Sequence, residues 1–104
     1  MSETSLILSK ETTKALTELT GESRTDMALT LVIRDYARHK RAELEEAIRQ
    51  YEAKYHTSFE AYRQQWESRE QESDYTYAAE SDYLEWEALV TRHKRLLESF
   101  AWLP

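Results

Sequence analysis

Side chains capable of bond-making chemistry are plentiful in this chain, but they are nowhere assembled for it. His39, His56 and His93 lie on separate segments with no metal-ligand spacing. There are 20 Asp and Glu, yet no pair sits in an apolar run of the kind that separates two carboxyl pKa values for acid and base work. Cysteine is absent, which removes thiolate ligands, disulfides and cysteine nucleophiles. Gly21 is the sole glycine, so there is no phosphate-cradling loop and no nucleophile elbow. The residue types argue against an enzyme and imply no cofactor and no metal.

Recognition chemistry is better represented. Eleven of the twelve Phe, Trp and Tyr residues fall in residues 51–104, and Tyr and Trp offer large contact area with a polar handle. Tyr62, Trp66, Tyr75, Tyr77, Tyr83 and Trp86 are the candidates for contact with a partner protein. Tyr75 and Tyr77, set among Glu70, Glu72, Asp74 and Glu80, are the hardest of these to bury. In the alternative reading, Phe59, Tyr62 and Trp66 fold back on the Leu44 to Tyr55 edge, and the last helix lies alongside to complete a helical hairpin.

The formal net charge of −6 is unevenly spread: eight Lys and Arg stand against nine Asp and Glu in residues 1–50, and six against eleven in 51–104. An acidic second half suits a basic partner protein and disfavours nonspecific nucleic-acid binding. Arg34, Arg38 and Arg41 share a helix face, which reads as a solvated surface with counter-charges at Asp35, Glu43 and Glu45. Met1 to Leu8 has no basic leader region, and no stretch approaches the roughly 18 apolar residues of a membrane span. The expectation is a soluble, cytoplasmic protein with no membrane partner.

One Gly and one Pro in 104 residues, with 33% charged residues, fit a mainly α chain and exclude an all-β fold. The alternation Ser5, Leu6, Ile7, Leu8, Ser9 predicts a short strand with Leu6 and Leu8 on its core face. A lone strand needs a partner for its backbone groups, most simply the same strand of a second copy. Ser9 caps a first helix carrying Leu16 and Leu19, and Gly21 stops it. Ser23 caps a second helix, which runs without a breaker from Thr25 to Tyr55 and is apolar on more than one face around Leu31 and Val32. A short helix over about 58–69, a linker over about 70–80 and a helix over about 82–101 follow. The last bears a stripe of Tyr83, Trp86, Val90, His93, Leu97 and Phe100. A histidine on such a stripe reads as a hydrogen-bonded core or interface residue.

The order of apolar strand, Leu16 and Leu19 helix, Gly21, Ser23-Arg24 start and Leu31 to Tyr36 run resembles the ribbon-helix-helix fold of prokaryotic repressors and antitoxins. AKYHTSFEAYRQQWES followed by SDYLEWEALV is similar to the toxin-neutralising tails of small antitoxins. The resemblance implies an intertwined homodimer with Leu6, Leu8, Leu16, Leu19, Leu31 and Val32 in its core. It also implies a ribbon whose outward side chains Glu3, Ser5 and Ile7 face DNA bases, with Lys10, Lys14, Ser23 and Arg24 on phosphates. Base reading would then rest on the Ser5 hydroxyl.

The expected organisation is therefore a ribbon-helix-helix dimerisation and DNA-binding module over residues 1–40 and a helical partner-binding region over 41–104. The expected function is that of a type II antitoxin that blocks a toxin protein with its second half and binds operator DNA through its ribbon. A stand-alone transcription regulator of the same fold and a helical scaffold protein without a DNA role are the alternatives.

Overall fold

The computed structural model describes residues 7–68 and 77–103, and among these the fold is mainly α. Helix α1 spans Lys10–Thr20, α2 Thr25–Tyr55, α3 Phe59–Ser68 and α4 Tyr77–Ser99. Local chemistry sets most of these limits. The Ser9 hydroxyl accepts from the Thr12 N–H at 3.1 Å and opens α1. Gly21, with φ of 72°, closes it by donating its N–H to the Thr17 carbonyl at 2.8 Å, in the left-handed region that glycine enters without steric cost. Ser58 opens α3, its hydroxyl accepting from the Ala61 N–H at 3.2 Å.

Three expectations require correction. The chain enters α1 from Ile7 and Leu8 as irregular backbone, and no strand occurs among the described residues. A ribbon-helix-helix fold cannot exist without its strand, so the family resemblance is overturned. Alternation over five residues is a short signal, and in a single chain the backbone N–H and C=O groups of such a segment meet no second strand. Glu3, Ser5 and Leu6 lie outside the described residues. Secondly, the N-cap position of α2 is Arg24 rather than Ser23. No side chain caps the first turn; just before it, the Glu22 carboxylate accepts from the Arg24 backbone N–H at 3.0 Å, which places a negative charge near the positive end of the helix. Thirdly, α4 begins at Tyr77, inside the expected linker. Ala78 and Ala79 are strong helix formers, and Glu80 complements the first-turn dipole. The remainder of that linker lies outside the described residues.

Helix α4 runs antiparallel to α2. Lys54 meets Asp82, Tyr51 stacks on Trp86, and Glu45 meets His93, so positions rise on one helix as they fall on the other. Helix α3 fills the closed end of this hairpin and α1 lies along the beginning of α2, giving an elongated molecule of 61 × 33 × 23 Å.

The core sits at the closed end and is aromatic. Trp86 is 0% exposed. Its ring is flanked by Tyr51 and Tyr55 from α2, each stacked at a centroid distance of 5.7 Å, and by Phe59 and Tyr62 from α3, both at 5.3 Å. Trp66 stacks on Tyr83 at 4.8 Å to continue the layer. An indole removed from water buries on the order of 200 Å², a transfer term of about 5 kcal/mol at 25 cal/mol per Å². The Trp86 indole N–H has no hydrogen-bond partner, an offsetting cost of about 1–3 kcal/mol.

Two outcomes follow for stability. Trp86→Ala empties the centre of the cluster and lowers unfolding free energy by about 3–5 kcal/mol in urea titration, with loss of near-ultraviolet dichroism from the surrounding tyrosines. His56 ends α2 with φ of 57°, where a side chain costs about 1–2 kcal/mol. His56→Gly therefore raises the urea midpoint; an unchanged or lower midpoint would show that the imidazole contributes more than the strain it bears.

Candidate interaction surfaces

The burial of each side chain decides which surfaces remain for a partner. Tyr62 and Trp86 are core residues of their own chain, while Trp66 and Tyr83 are half-buried against them. The four therefore pack within the intramolecular hairpin, with Trp66 and Tyr83 still partly exposed. Tyr77 differs: it is 89% exposed at the first position of α4. Tyr75 lies outside the described residues.

The residues expected on DNA do not converge. Ile7, Lys10 and Lys14 are exposed at and before the start of α1, and Ser23 and Arg24 are exposed at its far end, separated by a helix of about 15 Å. Lys14 stands 3.9 Å from Glu18, and the Arg24 Nε lies 3.3 Å from Glu22. Among the expected dimer-core residues, Leu16 is buried within the chain, Leu8, Leu31 and Val32 are half-buried, and Leu19 is 80% exposed.

Polar side chains hold the hairpin in register on either side of Trp86. Asp82 accepts from Lys54 Nζ and from the Tyr55 hydroxyl, both at 2.5 Å. These two hydrogen bonds keep its carboxyl below the usual carboxylate range. Burial first, and then the Asp82 hydrogen bond, raises the Tyr55 hydroxyl pKa. Tyr51, beside Glu85, is pushed up to about 12, again chiefly by burial. On the other side of Trp86 the His93 ring nitrogen Nε2 lies 2.9 Å from Glu45 Oε2, and Arg41 Nε donates to the same oxygen at 3.0 Å. The His93 and Arg41 hydrogen bonds lower the Glu45 pKa in that order.

These clasps were not singled out from sequence. Their only trace there is a charged or imidazole residue interrupting an otherwise apolar period, as His93 does on the α4 stripe. The basic face behaves as its counter-charges suggest: Arg34 pairs with Asp35 at 3.3 Å, Arg41 with Glu45 at 3.0 Å and Lys40 with Glu43 at 3.6 Å.

No group of three or more His, Cys, Asp or Glu able to hold a metal occurs among the described residues, and the clasps are consumed in joining α2 to α4. What is left free is apolar surface. On α4, Leu84 is 57% exposed and sits seven residues after Tyr77, two turns along the same outward face. Leu84 escaped the sequence reading because it lies off the Trp86 stripe. Around the α1–α2 seam, Ile7, Leu19, Met27, Ile33 and Tyr36 are exposed.

Both clasp carboxyls titrate below their unfolded values, so their contribution is full above the ordinary carboxylate range near pH 4 and is lost as pH falls through the lowered folded values. Stability should drop on acidification through this window. The pair of substitutions Glu45→Gln and Asp82→Asn should lower stability at neutral pH and flatten the acid limb, measured by urea midpoints across pH; an unaltered acid limb would place the titration elsewhere. Comparison of the chain with family models, with curated proteins and with solved structures gives no match.

Proposed function

We propose that the chain is a non-catalytic partner-binding protein, the antitoxin of a toxin–antitoxin pair, which holds a basic toxin against the outer face of α4 and acts by covering the toxin's working surface. The observation that carries the reading is the exposed pair Tyr77 and Leu84, aligned on one helix face with Glu80 and Glu85 exposed beside them. Trp86 and the half-buried His93 occupy the opposite face of the same helix, so the outer face can be covered without disturbing the core. Tyr and Leu supply contact area, while the carboxylates draw in a cationic partner and set its orientation.

The excess of acid over base in residues 51–104 supports a partner of that charge. Operator binding was tied to the ribbon and is not part of this proposal; a chain of net charge −6 also repels phosphate in the absence of a concentrated basic face.

The test is co-expression with the product of the adjacent reading frame. The expected result is a stoichiometric complex and relief of the growth arrest that product causes alone. Leu84→Asp, with helicity unchanged by circular dichroism, should lose both complex and relief, and raised salt should slow association. A wild-type chain that forms no such complex, or a Leu84→Asp variant that binds as tightly, would overturn the reading.

A further inference from the structure

We infer that the α1–α2 end of the molecule is covered by a second copy of this chain, in a two-fold contact made by helix faces. The two ends of the protein are unequally built. The closed end encloses Phe59, Tyr62 and Trp86, whereas around α1, among the described residues, the buried apolar ones are Leu16 and Ala28, with Leu8, Leu31 and Val32 half-buried. Helix α1 has 11 residues, shorter than the roughly 12–15 at which an isolated helix becomes even marginal in water. One leucine set against one alanine is a thin anchor for it. Covering the exposed apolar side chains here would add to that anchor.

The surface for that burial flanks the seam. On α1, Ala15 and Leu19 are four residues apart and so lie along one side of the helix, with Leu8 just ahead of its first turn. On α2, Leu29, Ile33 and Tyr36 do the same at four and three. Leu19 is 80% and Tyr36 60% exposed. Ile7 and Met27 add to the apolar area. Together the exposed parts of these side chains amount to on the order of 600 Å², against roughly 800 Å² per partner in an interface of standard size and at the upper end of the largest patch a monomer leaves uncovered.

Charge selects the occupant. In a two-fold contact every side chain meets the same surface that carries it, so a strongly charged face repels itself and a balanced one does not. Residues 1–50 carry eight cations and nine anions, whereas residues 51–104 carry six and eleven. The balanced half is the one with exposed apolar stripes. Joining two chains there sends their acidic ends away from each other along molecules 61 Å long. A basic partner would be drawn to the acidic end instead.

The experiment is sedimentation equilibrium of the full chain, with hydrogen exchange of the α1 amides. At concentrations on the order of 100 µM the expected mass is twice 12.4 kDa, and α1 protection should rise with concentration. Leu19→Asp and Ile33→Asp should each weaken the dimer at least about tenfold, and the milder Leu19→Ala and Ile33→Ala should weaken it in the same direction without adding charge. Leu84→Asp, on the far side of the molecule, should leave the mass unchanged. Retained helicity of α2 and α4 in the aspartate variants separates a lost contact from a lost fold. A monomeric wild-type chain would overturn the inference. So would a dimer that all four α1–α2 substitutions leave intact, or one that Leu84→Asp dissociates.

Discussion

One indole organises this molecule. Trp86 is the only large side chain fully removed from solvent among the described residues, and the rings around it come from both α2 and α3. Enclosing it on those sides requires α4 to return antiparallel along α2 and the chain between them to turn back sharply. The left-handed His56 at the end of α2 supplies that turn without a glycine. The clasps then fix the register. Asp82 lies one turn before Trp86 and His93 about two turns after it, each reaching a residue of α2. A surface ion pair contributes little alone, but Asp82 of α4 accepts from both Lys54 and Tyr55 of α2 while His93 of α4 meets Glu45, and a slip of α4 by one turn would leave these contacts unmade.

The same constraint explains why the other end is loosely held. The aromatic residues are concentrated after Tyr51, so the apolar area able to exclude water is spent on the hairpin. Helix α2 is long enough, at 31 residues, to project well beyond the cluster, and on that projection α1 rests through Leu16 and Ala28. The packing leads one to expect an internal gradient in unfolding: the hairpin would open only with loss of Trp86 packing, while α1 would detach at smaller cost.

Much of this was legible from residue order. The absence of any breaker between Thr25 and Tyr55 matches the full extent of α2, and Ser9 and Gly21 mark the ends of α1 by side-chain and backbone chemistry that operates locally. The illegible parts are those where a local signal has two physical uses. An apolar stripe looks the same whether its own chain or a partner covers it, which is why Tyr62 and Trp86 could be read as binding residues while Leu84, off the stripe, drew no notice. Alternation over Ser5 to Ser9 could precede a helix as readily as form a strand, since the deciding factor, a second strand to pair with, is not local. Ser23 lies one residue ahead of the N-cap position, Arg24, so a residue type suited to capping does not by itself place the helix start.

The two free surfaces differ in how binding and stability are linked. Tyr77 and Leu84 project from a helix whose other side is anchored by the core, so a partner docked there would add its own contact energy to a platform that is already formed, and truncating either side chain would affect recognition without touching Trp86. At the α1–α2 end no such separation exists. The apolar residues that a second copy would cover lie on and beside α1 itself, so association and local folding would draw on one free energy and α1 would become more stable as the concentration of the chain rises. With both proposed contacts in use, such a protein would keep a rigid recognition helix at one end while making its other end depend on how much of the chain is present.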